Sequence, residues 1–131
     1  MEREQFEQLV SEGLTRIPAK FRRLLKNVAI VVADAPTPAQ LRRNRIGPGS
    51  TLLGLYEGVP RAARFGQEPL MPDKITIFQR PIESVALTPD AIREQVAQTV
   101  WHEVGHHFGL SEHAVRTAER RRSTRPLKKI S

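Results

Sequence analysis

The chain has 131 residues, of which 39% are hydrophobic, so it is large enough for one folded domain and too apolar for a disordered chain. It contains no cysteine, which excludes disulfide bonds and thiolate metal ligands. It shows no apolar leader and no apolar run near the roughly 18 residues that a membrane span needs. We therefore expect a cytoplasmic protein without a membrane span.

The net charge of +7 is concentrated near the C-terminal end. Residues 116–131 contain seven basic side chains and a single acid, whereas the rest of the chain is almost neutral. We expect residues 1–121 to form a single domain, followed by a flexible basic tail over residues 122–131. Such a tail is usually solvated, and weak contact with nucleic acid or another anionic surface is its alternative role. The sequence leaves the oligomeric state open.

Two helices and a strand are predicted in the first third of the chain. Residues 3–16 place apolar side chains at helical spacing, and Pro18 suits the first turn of a second helix over residues 18–26. The apolar and largely β-branched run 28–33 predicts a strand covered on both faces. Residues 34–50 are polar and rich in arginine, and we expect a loop with room for one helical turn.

Two more strands are predicted in the middle of the chain. The first spans residues 52–56, where Gly54 indicates a bulge or a close backbone approach. The second spans residues 74–79, alternates apolar with polar side chains, and is closed by Pro81. Residues 57–74 are rich in proline and glycine, so we expect a long surface loop between the two strands.

The longest predicted helix has the clearest boundaries. Thr88 is a suitable N-cap and Pro89 suits the first helical position. Apolar residues then recur every four positions as far as Phe108, which predicts a buried stripe ending at that residue. Gly109 is suited to turn the chain after the helix. A short helix over residues 111–121 is expected to follow.

This long helix carries the pattern H-E-x-x-H, and the protein has no histidine outside residues 102–113. On a helix, His102 and His106 lie on one side and about 6 Å apart along the axis, a spacing that suits one zinc ion. Glu103 is rotated by about 100° from His102 and can act on a metal-bound water without being a ligand. His107 points away from this pair, which favours a structural role or a contact that supports a metal ligand.

The third ligand has two candidates. Catalytic zinc takes three protein ligands and leaves one position for water. The turn at Gly109 can bring the following residues back to the metal, and Glu112 and His113 are the nearest side chains that can bind it.

The stretch from His102 to Glu112 resembles the H-E-x-x-H-x-x-G-x-x-[H/D] motif of zincin metallopeptidases. It is most similar to a family of very small bacterial zincin-like proteins whose motif is related to that of the Asp-zincins. Residues 52–60 and 72–78 resemble the same family. The resemblance implies an α+β, minimal zincin-like fold. Its parts would be two N-terminal helices, a small mixed sheet of three or four strands, a long active-site helix and a short C-terminal helix.

The resemblance also implies a metal site and an activity. One zinc ion per chain would be held by His102, His106 and Glu112, where the family usually has aspartate, with His113 as the alternative third ligand. Peptide bonds of a peptide or protein substrate would be hydrolysed through a zinc-activated water with Glu103 as the general base.

Other parts of the chain are expected to assist this reaction. Tyr56, the only tyrosine, is a candidate for stabilising the developing oxyanion, although a half-buried strand position explains it more simply. Gln95 and Thr99 share the histidine face of the helix, where they could support the metal ligands or could equally face solvent. An edge strand, formed by residues 52–56 or 75–78, would align the substrate backbone.

Two other functions remain open from the sequence. A zincin-fold protein could bind metal or a partner without turnover, because so short a chain has little room for a deep cleft. An accessory protein could instead contact nucleic acid through its basic tail, although no nucleic-acid-binding module is recognisable.

Overall fold

A computed structural model of the chain describes residues 1–58 and 72–109. Within these ranges, five α-helices and a mixed three-stranded sheet form an α+β fold, as the sequence predicts. Residues 59–71 and 110–131 lie outside the described residues, and so do three predictions: most of the loop after the second strand, the helix over residues 111–121, and the basic tail.

The chain begins with two helical segments. α1 (Arg3–Leu14) is amphipathic, and it buries Phe6, Leu9 and Val10. α2 (Ala19–Arg22) is a single turn that continues into a 3-10 turn, Arg23–Leu25. The predicted helices are confirmed, although the second is shorter and changes its hydrogen-bonding pattern halfway.

Three strands form the sheet, β1 (Val28–Ala33), β2 (Gly54–Glu57) and β3 (Asp73–Phe78). Their spatial order is β1-β3-β2, with β1 parallel and β2 antiparallel to β3. The predicted strands are confirmed to within two residues. Because β3 lies between the other two, the prediction that residues 75–78 could be an edge strand for substrate is wrong. Of the two candidates, β2 is the one at an edge of the described sheet.

The prediction that β1 is covered on both faces is also wrong. Val28, Ile30 and Val32 pack against the core, whereas Val31 on the opposite face is 39% exposed. β1 lies at an edge of the described sheet and has one face covered. An apolar run in the sequence shows neither its place in the sheet nor how many of its faces are covered.

One helix lies where the sequence predicted a loop with room for one helical turn, and another was not predicted. α3 (Pro38–Arg43) begins at a capping box in which Thr37 and Gln40 exchange side-chain to backbone hydrogen bonds. α4 (Gln79–Val85) contains Pro81 as its third residue. The N–H groups in the first turn of a helix have no intrahelical acceptor, so proline is tolerated there. Pro81 therefore belongs to a helix and does not only close the strand before it.

α5 (Pro89–His107) is the longest helix. The Thr88 hydroxyl accepts a hydrogen bond from the backbone N–H of Ala91 at 3.0 Å, which confirms the predicted cap. The chain turns at Gly109, where φ is +71°. The prediction that Phe108 belongs to the buried stripe is wrong, because the helix ends one residue earlier and the ring is 44% exposed. No helix in residues 1–58 and 72–109 is long and apolar enough to cross a membrane.

The hydrophobic core lies between α1, α5 and one face of the sheet. Its fully buried side chains include Phe6, Ile75, Ile77, Val96 and Val100. Ion pairs join α1 and the residues that follow it to α5 at the surface, namely Glu12 with Arg93 and Arg16 with Asp90. The core therefore fixes α5 against the sheet on which the candidate site is built.

Candidate active site

β2 and α5 run side by side in a repeating register. Three pairs of residues meet along this line: Gly54 with Thr99, Tyr56 with Glu103, and Gly58 with His107. Four residues of helix rise by about 6 Å and two residues of strand by about 6.7 Å, so the two repeats stay in step over two helical turns. The strand thus lies along the face of α5 that carries the glutamate of the H-E-x-x-H pattern.

The central pair joins the candidate base to the strand. The backbone N–H of Tyr56 donates a hydrogen bond to Oε1 of Glu103 at 2.9 Å. The carbonyl of Leu53 accepts from the N–H of Phe78, so alternate residues of β2 turn their backbone groups towards β3. The backbone N–H and C=O groups of Gly54 and Tyr56 point away from β3. The outward N–H of Tyr56 is the donor to Glu103.

Gly54 sets the distance between β2 and α5. A Cβ at this position would lie 2.6 Å from Cγ2 of Thr99 and 3.2 Å from the carbonyl oxygen of Thr76. The predicted close backbone approach at Gly54 is therefore present. Thr99 is held in turn by Gln95, whose side-chain amide donates to the threonine hydroxyl at 3.3 Å. These two polar residues support the helix face beneath Glu103.

His102 and His106 lie on one side of α5, as their spacing predicts. Their ring centroids are 6.0 Å apart and their planes differ by 11°. His102 is half-buried and His106 is exposed. Two accessible imidazoles on successive turns, with a carboxylate between them in sequence, are a donor set that fits zinc.

The described part of the chain contains only two of the predicted zinc ligands, His102 and His106. Within residues 1–58 and 72–109, no three histidine or acidic side chains come together to hold a metal ion. The two candidates for the third ligand, Glu112 and His113, lie outside these ranges. The assignment of His102, His106 and either of them as ligands therefore stays a prediction.

His107 belongs to a different cluster from His106. Its ring stacks on that of Tyr56, with centroids 3.8 Å apart and planes 16° apart. The Tyr56 hydroxyl donates to Oδ2 of Asp73 at 2.8 Å, and Nε2 of His107 lies 3.8 Å from the same oxygen. The three residues come from β2, β3 and α5, and they meet one helical turn beyond Glu103.

The structure gives Tyr56 two polar contacts that the sequence did not predict. Its hydroxyl is bound to Asp73 and its backbone N–H to Glu103, while its assignment as an oxyanion stabiliser stays a prediction. Asp73 was missed because it lies 17 positions from Tyr56. The strand pairing brings them together, since Tyr56 lies opposite Ile75 and Asp73 is its diagonal neighbour.

A histidine-bearing helix beside an edge strand of a small mixed sheet places the chain in the zincin class of α+β proteins. The family model of zincin-like metallopeptidases matches residues 25–122, which is most of the chain. The protein therefore belongs to the zincin-like metallopeptidase family, and the matched range includes all three strands and α5. No match is found among curated proteins.

Proposed function

We propose that the protein is a zinc-dependent metallopeptidase that hydrolyses peptide bonds with Glu103 as its general base. The observation that carries the proposal is the hydrogen bond from Tyr56 N–H to Glu103, because it fixes a carboxylate at the edge of a strand along which a peptide can lie. Membership of the zincin-like metallopeptidase family supports peptides as the substrate class.

The metal would be one zinc ion per chain, held by His102, His106 and Glu112, with His113 as the alternative third ligand. Imidazole and carboxylate are the usual ligands of catalytic zinc, and zincins usually bind this metal. When bound, zinc polarises a scissile carbonyl and lowers the pKa of water towards about 7.

β2 would align the substrate by strand addition. Gly54 and Tyr56 turn their backbone groups to the side where an added strand would pair. The N–H of Tyr56 is already bound to Glu103, so a substrate would pair with the other outward backbone groups of β2. A substrate in this position would lie between the strand edge and the histidine-bearing helix.

Glu103 would accept a proton from the attacking water and pass it to the leaving amine. Its Oε1 is occupied by the Tyr56 donor, which leaves Oε2 to take the proton. The carboxylate is therefore oriented before a substrate arrives, as proximity effects require.

The test uses protein purified without a histidine tag, with zinc measured by elemental analysis and hydrolysis of a mixed peptide library followed by mass spectrometry. We expect close to one zinc per chain and cleavage of the library. Glu103→Gln should retain zinc and lower the cleavage rate by about 10²- to 10⁴-fold, because only the proton acceptor is lost.

A matched control is Glu94→Gln, which changes a glutamate on the same helix that is paired with Arg16 rather than placed at the site. Its cleavage rate should stay close to that of the unchanged protein. Equal cleavage by the Glu103→Gln and Glu94→Gln variants would rule out the proposed mechanism, and a chain that takes up no zinc would rule out the metal site.

A further inference from the structure

Asp73 and His107 contact Tyr56 next to the candidate base, and the proposed reaction does not use their side chains. We infer that Asp73 and His107 are positioning residues for Glu103, acting through Tyr56, whose backbone N–H is bound to that base. The inference rests on the proposed function where it concerns the rate of hydrolysis. The contacts through which it works can be tested without any hydrolysis.

The Tyr56 side chain is held at both its face and its tip. The His107 ring covers one face at a centroid distance of 3.8 Å, and Asp73 accepts the hydroxyl hydrogen at 2.8 Å. The Asp73 side chain is only 13% exposed, so this charge-assisted hydrogen bond is shielded from competing water. A third ring, that of Phe108, meets Tyr56 edge-on at 6.3 Å.

Tyr56 contacts α5 at two points that are one helical turn apart. Its backbone N–H binds Glu103, and its ring stacks on His107, which is four residues further along the same helix face. Two contacts from one residue fix both the rotation and the sliding of this turn relative to β2. Loss of the ring contact would leave the 2.9 Å hydrogen bond without its second support one turn further along α5.

Asp73 completes the arrangement from the central strand. Its carboxylate holds the Tyr56 hydroxyl, and it lies 3.8 Å from Nε2 of His107. β3 is the best-buried of the three strands, so Asp73 joins the edge strand to the buried part of the sheet and lies beside the end of α5. The orientation of Glu103 therefore depends on residues that do not themselves contact it.

The composition of the chain allows a direct measurement. Tyr56 is the only tyrosine, so protein labelled with ¹⁵N-tyrosine gives a single backbone amide signal, that of the N–H bound to Glu103. Glu103→Ala removes the acceptor and supplies the reference position of the unbound amide. Each variant is measured with one equivalent of zinc, and its folding is checked by circular dichroism.

We expect the amide signal of His107→Ala and of Asp73→Asn to shift towards the Glu103→Ala position. His107→Phe keeps a ring that can stack, so its signal should stay near that of the unchanged protein. Arg80→Ala is the control, because Arg80 is exposed and lies just beyond the opposite end of β3 from Asp73. An unmoved signal in both His107→Ala and Asp73→Asn would overturn the inference.

The second readout is the rate of peptide hydrolysis. His107→Ala and Asp73→Asn should lower kcat by roughly ten- to a hundredfold with little change in KM, because a displaced base affects the chemical step more than substrate binding. His107→Phe should recover most of that loss. A shifted amide signal with an unchanged kcat would refute a positioning role.

The two readouts separate this inference from the proposed function. If the unchanged protein cleaves no peptide, the proposed function fails, while the amide signals still decide whether Asp73 and His107 hold Tyr56 against Glu103. If the protein cleaves peptides and the amide signals do not respond, only the positioning inference fails.

Discussion

Gly54 and Thr99 approach each other so closely that a Cβ on the glycine would lie 2.6 Å from Cγ2 of the threonine. This contact between β2 and α5 precedes, along both elements, the one that joins Tyr56 to Glu103. Because the two elements run in register, any widening at Gly54 is carried to the hydrogen bond of the base. We therefore expect Gly54, a residue without a side chain, to affect the geometry of the candidate site from two positions away.

Gly54→Ala should destabilise the fold by about 1–3 kcal/mol, the usual cost of overpacking a buried contact. Thr99→Ser removes the clashing methyl group and keeps the hydroxyl that Gln95 binds. The double variant should therefore recover part of the loss, although the 3.2 Å approach to the Thr76 carbonyl remains. Urea unfolding followed by fluorescence of Trp101, the only tryptophan, measures these differences.

Gly47→Ala is the control for this experiment, because a Cβ there meets nothing within 4 Å. Its free energy of unfolding should stay within about 0.5 kcal/mol of the unchanged protein. Equal stabilities for Gly54→Ala and Gly47→Ala would contradict the close approach.

Local sequence signals predicted the elements of the fold better than their arrangement. Thr88 identified the start of α5 and Gly54 the close approach, because a cap and a missing side chain each have a local physical meaning. The edge position of β1 was not predictable, since strand order depends on tertiary packing. α3 did have a local signal, the capping box of Thr37 and Gln40.

The candidate site likewise contains residues that the sequence predicts and residues that it does not. The histidine pair follows from the helical repeat, so His102 and His106 are visible in the sequence. Asp73 and the backbone N–H of Tyr56 are not visible in the sequence. The N–H of Tyr56 reaches Glu103 only because β2 packs on α5, and Asp73 reaches Tyr56 only through strand pairing. Contacts between residues 17 to 51 positions apart carry no periodic signal.

The two neighbouring histidines at the end of α5 should differ in their effect on zinc. His106→Ala should weaken zinc binding by more than about a hundredfold, since even the loss of an outer partner of a ligand typically costs 10- to 100-fold. His107→Ala should retain most of the affinity, because its ring packs on Tyr56 rather than beside His102. Competition titration against a chromophoric zinc chelator measures both, and a larger loss for His107→Ala would reverse the assignment.

The third ligand can be assigned by the same titration. Glu112→Ala should weaken zinc binding by more than about a hundredfold, because removing a ligand costs more than removing its outer partner. His113→Ala should leave the affinity nearly unchanged. The opposite order would make His113 the ligand, as the alternative prediction has it.

Acid should weaken the attachment of α1 to α5 through Glu12. Hydrogen bonds from Gln8 and from Arg93 lower the pKa of the Glu12 carboxyl below its usual value. A carboxyl whose pKa is lower in the folded than in the unfolded chain stabilises the fold above the unfolded pKa of about 4.3, and this contribution is lost as the pH falls through the folded pKa.

Glu12→Gln should therefore be less stable than the unchanged protein at pH 7, and the difference should disappear as the solution is acidified below about pH 4. Urea unfolding at a series of pH values measures it. Glu7→Gln is the matched control for the loss of a carboxylate, on the exposed side of the same helix. Only the ionised carboxylate accepts both hydrogen bonds at full strength. A difference in the free energy of unfolding between Glu12→Gln and the unchanged protein that stays constant from neutral to acid pH would therefore show that this carboxylate does not hold the two helices together.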